Sequence, residues 1–220
     1  MATALVTGSN RGIGLSLVKL LKARGNTVIA ACRHETPELA ALGVEVASGV
    51  DVTSDESVNL LAEKLKGRRL DLLINNAGAL SVERLEGLDF SAIQRQMEVN
   101  AYGPLRVTQK LAALLARGSK VALITSRMGS IGDNGSGSYY GYRMSKAALN
   151  AAGKSLAIDL SARGVWVAIL HPGMVKTEMT GGHGNVEPAD AARGLLARID
   201  ALSSENTGTF WHANGEVLPW

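Results

Sequence analysis

The chain of 220 residues is 46% apolar, which suits one globular domain with a sizeable core. Its 23 Lys plus Arg against 20 Asp plus Glu give a net charge of +3 with no basic cluster, and this excludes a nucleic-acid footprint. One cysteine, Cys32, excludes an internal disulfide, fits a reducing cytoplasm and reads as a small buried core residue. The first strand candidate, Ala4–Thr7, begins almost at once after Met1, with no basic n-region, so no signal peptide is expected. The longest apolar stretches, such as Val165–Leu170, are too short to span a bilayer, so no membrane association and a cytoplasmic location are expected.

Strand Ala4–Thr7 runs into Thr7-Gly8-Ser9-Asn10-Arg11-Gly12-Ile13-Gly14, which opens a helix over Ile13–Arg24. Glycines there permit a tight turn and close backbone approach to a pyrophosphate, and the helix N-terminus offers free N–H groups to it. A strand over Thr27–Cys32 ends at Arg33, and a third is expected over Val44–Ala47. Asp51 and Val52 precede a helix over Ser54–Leu65, capped by Ser54 or Asp55, with Gly67 just beyond. The strand Leu70–Asn75 is followed by Asn76-Ala77-Gly78, and a long helix is expected over Phe90–Leu115, with Asn100 inside it. Strand Lys120–Thr125 delivers Ser126 to its carboxyl end, and Gly129–Ser138 reads as a Gly/Ser-rich loop. The helix Tyr142–Ala162 comes next, then strand Val165–Leu170, His171-Pro172-Gly173-Met174-Val175-Lys176-Thr177, a helix over Pro188–Leu202 and a last strand near Gly208–Trp211.

Each strand candidate is nearly all apolar, as in parallel strands covered on both faces. The alternation with helices predicts one doubly wound α/β domain over residues 1–220, a Rossmann fold with a seven-stranded parallel sheet in the order 3-2-1-4-5-6-7 and helices on both faces. Ligands of such sheets bind at the carboxyl edge, where Ser126 falls. Tyr142 and Lys146 are four residues apart, so a helix turns both to one face. A tyrosine with an ordinary pKa of about 10 is a poor acid at neutral pH; a nearby ammonium stabilises the phenolate and makes the pair a candidate proton donor to a carbonyl. Arg33 stands where an acid that hydrogen-bonds a ribose 2′-hydroxyl would fall, and Arg11 is a second guanidinium in reach, so NADP(H) is expected rather than NAD(H).

The glycine spacing departs from the common Gly-x-Gly-x-x-Gly pattern. Together with Asp51-Val52, Asn75–Gly78, Asn100, Ser126, Tyr142/Lys146 and Pro172-Gly173-x-x-x-Thr177, it resembles the short-chain dehydrogenase/reductase family over nearly the entire chain. The stretch Ser138–Asn150 is similar to short members of that family, the C-factor-like proteins and sniffer-type carbonyl reductases. The resemblance implies an enzyme that interconverts aldehydes or ketones with alcohols by hydride transfer. Tyr142 would be the general acid–base, Ser126 would orient the substrate carbonyl, and Lys146 would bind the nicotinamide ribose and lower the tyrosine pKa. Asn100 would hold a water linking Lys146 to solvent. Gly8, Ser9, Asn10, Arg11, Gly12, Ile13 and Gly14 would form the phosphate turn. Asp51 and Val52 would border the adenine, Asn76, Ala77 and Gly78 would line the cleft, and Pro172, Gly173, Val175 and Thr177 would place the nicotinamide. A homodimer or homotetramer is implied, and no metal. The alternative implied by the C-factor-like similarity is a signalling or developmental protein in which cofactor binding matters more than turnover. His171, at a strand end, is expected to be structural. The short segment after Thr177 predicts a weakly lidded pocket, with Gly129–Ser138 as one wall. Arg127, Met128, Tyr139, Met174 and Met179 are further candidates for its wall.

Overall fold

The computed structural model describes residues 1–220. Strand β1 (Thr3–Thr7) occupies the middle of a parallel sheet, flanked by β2 (Thr27–Cys32) and β4 (Leu70–Asn75). The full order is β3-β2-β1-β4-β5-β6-β7, with β3 at Glu45–Ser48, β5 at Leu115–Ile124, β6 at Trp166–His171 and β7 at Phe210–His212. Seven strands and this order are those expected.

Side-chain alternation along each strand supplies two cores, one on each sheet face. Ala4, Val6, Ala30, Cys32, Ala122 and Leu170 face one way, against Leu17 and Val18 of helix α1 (Gly12–Ala23) and Leu195 and Leu196 of helix α7 (Pro188–Asp200). Leu5, Ile29, Leu73, Val121 and Leu123 face the other, against helices α3 (Asp55–Lys64), α5 (Gly103–Leu111) and α6 (Tyr140–Ser161). The Cys32 thiol is free and buried as expected, and burial pushes its pKa up. No helix is long and apolar enough to cross a membrane.

Several boundaries differ from expectation for local reasons. The stretch Phe90–Leu115 is not one helix. Helix α4 (Phe90–Met97) widens into a π-helical turn over Glu98–Tyr102 before α5, and a 3-10 turn at Ala112–Leu114 delivers Leu115 to β5. Pro104 lacks the N–H that an α-helix would aim at the Asn100 carbonyl. Gly103 meanwhile packs so close to Val52 that a Cβ would lie 2.9 Å from its Cγ2. A short helix, α2 (Pro37–Ala40), adds to the expected set; Thr36 caps it through Leu39 N–H. Ser54 rather than Asp55 caps α3. Helix α6 starts two residues before Tyr142, β3 begins at Glu45, β7 reaches His212, and α7 stops at Asp200.

Candidate active site

The carboxyl edge of β1, β2, β4, β5 and β6 opens into one cleft of about 690 Å³. Gly8, Asn10 and Arg11, from the turn after β1, and Gly12, Ile13 and Gly14, from the first turn of α1, line it. Gly8 and Gly12 have φ of +63° and +54°, a region open to glycine at little steric cost. Helix α1 has no acidic residue in its first turn, and its N-cap, Arg11, makes no capping bond. Its first N–H groups are therefore open to an anion in the cleft. Ser9 is different: it is fully buried, and its hydroxyl donates to the Ala31 carbonyl at 3.0 Å. It supports the turn from behind and does not line the cleft.

The turn is locked to the β4 loop. Asn76 Nδ2 donates to the Thr7 and Gly8 carbonyls at 3.0 Å each, and Thr7 Oγ1 accepts from Asn76 N–H at 3.0 Å and Ala77 N–H at 3.1 Å. Asn76, Ala77 and Gly78 thus lie in the cleft wall beside the glycines. Thr7, to which the glycine spacing alone gives no role, is the residue that joins the two loops.

One end of the cleft is lined by Arg33, His34, Asp51 and Val52. Asp51 is held below the ordinary carboxylate range chiefly by Thr53 N–H, with a smaller contribution from Arg33. Arg11 pairs with Glu178, in the 3-10 turn that follows Thr177, and both residues line the cleft.

Tyr142 and Lys146 line the opposite end, with Pro172, Gly173, Val175 and Thr177. Burial pushes the Tyr142 phenol above its ordinary pKa, and the nearby Ser126 hydroxyl pulls the other way. Lys146 Nζ donates to the Ile124 carbonyl at 2.9 Å and lies 5.7 Å from the Tyr142 ring centroid. Burial lowers this ammonium to about 8. Burial disfavours the cation and the phenolate alike, so the net direction at Tyr142 is upward. Ser126 does not line the cleft; its Oγ accepts from Met128 N–H at 3.1 Å, in the neighbourhood of Tyr142.

Asn100 is fully buried behind this end. Its Nδ2 donates to the Ala79 carbonyl and to Ser145 Oγ, and its Oδ1 accepts from Ala79 N–H. The side chain is fully engaged, so any water it held would have to use the main-chain carbonyl. His171 is driven down to about 3, first by burial and then by His212, Arg127 and Lys146. It is neutral at ordinary pH, its Nδ1 is unpartnered, and its ring meets His212 edge-on at 4.9 Å. Residues 129–138 do not line the cleft; Gly132 N–H and Ser130 Oγ instead bond the Trp220 carbonyl. Of the other wall candidates Met179 lines it, whereas Arg127, Met128, Tyr139 and Met174 do not. Arg95 and Val99 also line it. Sequence reasoning missed both, and their only signal is that they lie within five residues of Asn100.

Comparison with known proteins agrees with this geometry. Residues 2–187 match the family profile described as short chain dehydrogenase. The chain is 46% identical, over 100% of both sequences, to 1-hydroxy-2-glutathionyl-2-methyl-3-butene dehydrogenase of Rhodococcus sp. (strain AD45). It is 43% identical to C-signal of Myxococcus xanthus, over 69% of this chain and 93% of that one. An NADPH-bound carbonyl reductase from chicken fatty liver superposes with a TM-score of 0.91 at 30% identity, covering 100% of this chain and 99% of that one. The chain therefore belongs to the short-chain dehydrogenase family of oxidoreductases.

Proposed function

We propose that the chain is an NADP(H)-dependent oxidoreductase that interconverts aldehydes or ketones with alcohols. The observation that carries this reading is the Tyr142 phenol, near the Ser126 hydroxyl and flanked by Lys146, at the end of a cleft floored by the glycine turn. The uncapped, acid-free N-terminus of α1 fits a pyrophosphate, and exposed Arg33 fits a 2′-phosphate. Asp51 and Val52 would flank the adenine. Asn76, Ala77 and Gly78 would hold the turn and the nicotinamide half together, and Pro172, Gly173, Val175 and Thr177 would set the ring against Tyr142. A nicotinamide bound there supplies or takes up the hydride.

The chain's own residues handle the proton. In reduction Tyr142 donates its phenolic proton to the carbonyl oxygen, and Ser126 holds that oxygen and steadies the phenolate. Lys146 supplies positive charge beside the phenolate, and the Asn100 main-chain carbonyl would hold the water that reprotonates it. In oxidation the same groups act in reverse.

The test is a panel of aldehydes, ketones and alcohols, including a glutathione-linked alcohol suggested by the Rhodococcus relative, followed by NADPH and NADH absorbance. Turnover with a lower KM for NADPH is expected. No turnover across the panel overturns the activity, and a clear preference for NADH overturns the cofactor assignment. The C-signal likeness supports a second reading, a signalling role carried by cofactor binding.

A pH dependence follows from Lys146. Its ammonium is protonated below about 8 and lost above it, so kcat/KM for carbonyl reduction should fall as pH rises through that value, because this ratio reports groups of the free enzyme. A profile flat across that range contradicts the role given to Lys146.

A further inference from the structure

Glu83 belongs to the irregular stretch between β4 and α4, yet it is only 2% exposed. Its Oε1 accepts from Ser81 Oγ at 2.5 Å and from Gln96 Nε2 at 2.7 Å, and its Oε2 accepts from Gly141 N–H at 3.1 Å. Its main-chain carbonyl accepts from Tyr139 N–H at 2.8 Å. One residue thus holds two N–H groups at the start of α6, the helix that carries Tyr142 and Lys146. The helix has no cap of its own, because Tyr139 at the N-cap makes no side-chain capping bond. A carboxylate there meets the positive end of the helix dipole.

The joint has little slack. A Cβ on Gly141 would overlap Gln96 Nε2 and lie 2.9 Å from Ile93 Cα, so α4 and α6 meet closely at this point. Ser138 and Tyr139 both take left-handed φ, 54° and 55°, a conformation that costs non-glycine residues energy and persists only where neighbours impose it. A buried carboxylate is also costly unless its hydrogen bonds are made, and here three neutral donors converge on it. Tyr142 is the residue after Gly141.

We propose that Glu83 is a positioning residue that sets the Tyr142 phenol against the substrate oxygen by fixing the start of α6. The inference rests on the reading of Tyr142 as the acid–base group. In Glu83→Gln an amide N–H₂ replaces one accepting oxygen, so at least one donor of the cluster faces another donor. Exchanging the pair, in Glu83→Gln with Gln96→Glu, restores an acceptor for each donor.

NADPH oxidation with para-nitrobenzaldehyde as the carbonyl probe gives kcat, and fluorescence titration gives NADPH affinity. Glu83→Gln is expected to lower kcat about tenfold or more, since misplacement by an ångström can cost about a hundredfold, while NADPH affinity stays unchanged. The exchanged double variant is expected to recover most of the lost kcat. Parental kcat in Glu83→Gln overturns the proposal. So does a joint fall of kcat and NADPH affinity that the exchange does not repair, because that marks a purely structural role. Tyr142→Phe separates the two ideas. If it keeps turnover, the acid–base reading fails; if it is inactive while Glu83→Gln is unaffected, only the positioning role fails.

Discussion

Tyr142→Phe is expected to lower carbonyl reduction by about 100- to 10,000-fold, the usual contribution of a positioned general acid, without weakening NADPH binding. The substitution removes one oxygen and keeps the ring, so the packing that holds α6 survives. What is lost is the proton donor. Lys146 keeps its bond to the Ile124 carbonyl, so its ammonium stays in the cleft. It is not expected to take over the proton transfer, because its Nζ, 5.7 Å from the tyrosine ring centroid, is held by the Ile124 carbonyl. His171 cannot take over either, since it stays neutral down to about 3. Stopped-flow reduction and NADPH titration on the same preparation check the two halves of the expectation. Turnover at the parental rate would remove Tyr142 from the mechanism. The same variant separates catalysis from signalling: if it binds NADPH, turns nothing over and still exerts the biological effect, the effect depends on binding.

Parts of this site are legible in the amino-acid sequence because they depend on neighbours along the chain. Tyr142 and Lys146 share a helix face whatever the tertiary context, and the glycines fall at the turn after β1 and the first turn of α1. The strands are legible because each is covered on both faces, which leaves unbroken apolar runs such as Ala4-Leu5-Val6. What is not legible depends on distant contacts. The division of Phe90–Leu115 comes from Pro104 together with the fit of Gly103 against Val52, a residue on another loop. The start of α6 at Tyr140 is set by Glu83, which in sequence is one acid in a polar loop. Ser9 looks like part of a phosphate turn until the Ala31 carbonyl claims its hydroxyl. The pairing of Arg11 with Glu178, far along the chain, is likewise invisible in the sequence.

Gly14→Ala is expected to weaken NADPH binding by about a hundredfold or more, which corresponds to about 2.8 kcal/mol. A Cβ at this position would overlap the Gly8 carbonyl oxygen and lie 2.6 Å from Asn76 Nδ2. Neither atom is the free end of a flexible side chain. The first is backbone at the head of the turn, and the second is fixed by its two bonds to the Thr7 and Gly8 carbonyls. The methyl group must therefore push the turn off α1 or break the link to the β4 loop, and either movement displaces the N–H groups that would face the pyrophosphate. Forcing one carbon into a filled site typically costs about 1–3 kcal/mol of stability, and the melting temperature should drop by roughly 2–4 °C for each of those in a chain of this size. Gly87→Ala is the control: no atom lies within 4 Å of its Cβ and its φ is not positive, so folding and binding should stay as in the parent. Calorimetric titration with NADPH and thermal melts of both variants give the comparison. If Gly14→Ala binds NADPH as tightly as the parent, the pyrophosphate does not sit on this turn, and the cofactor must enter the cleft in another orientation.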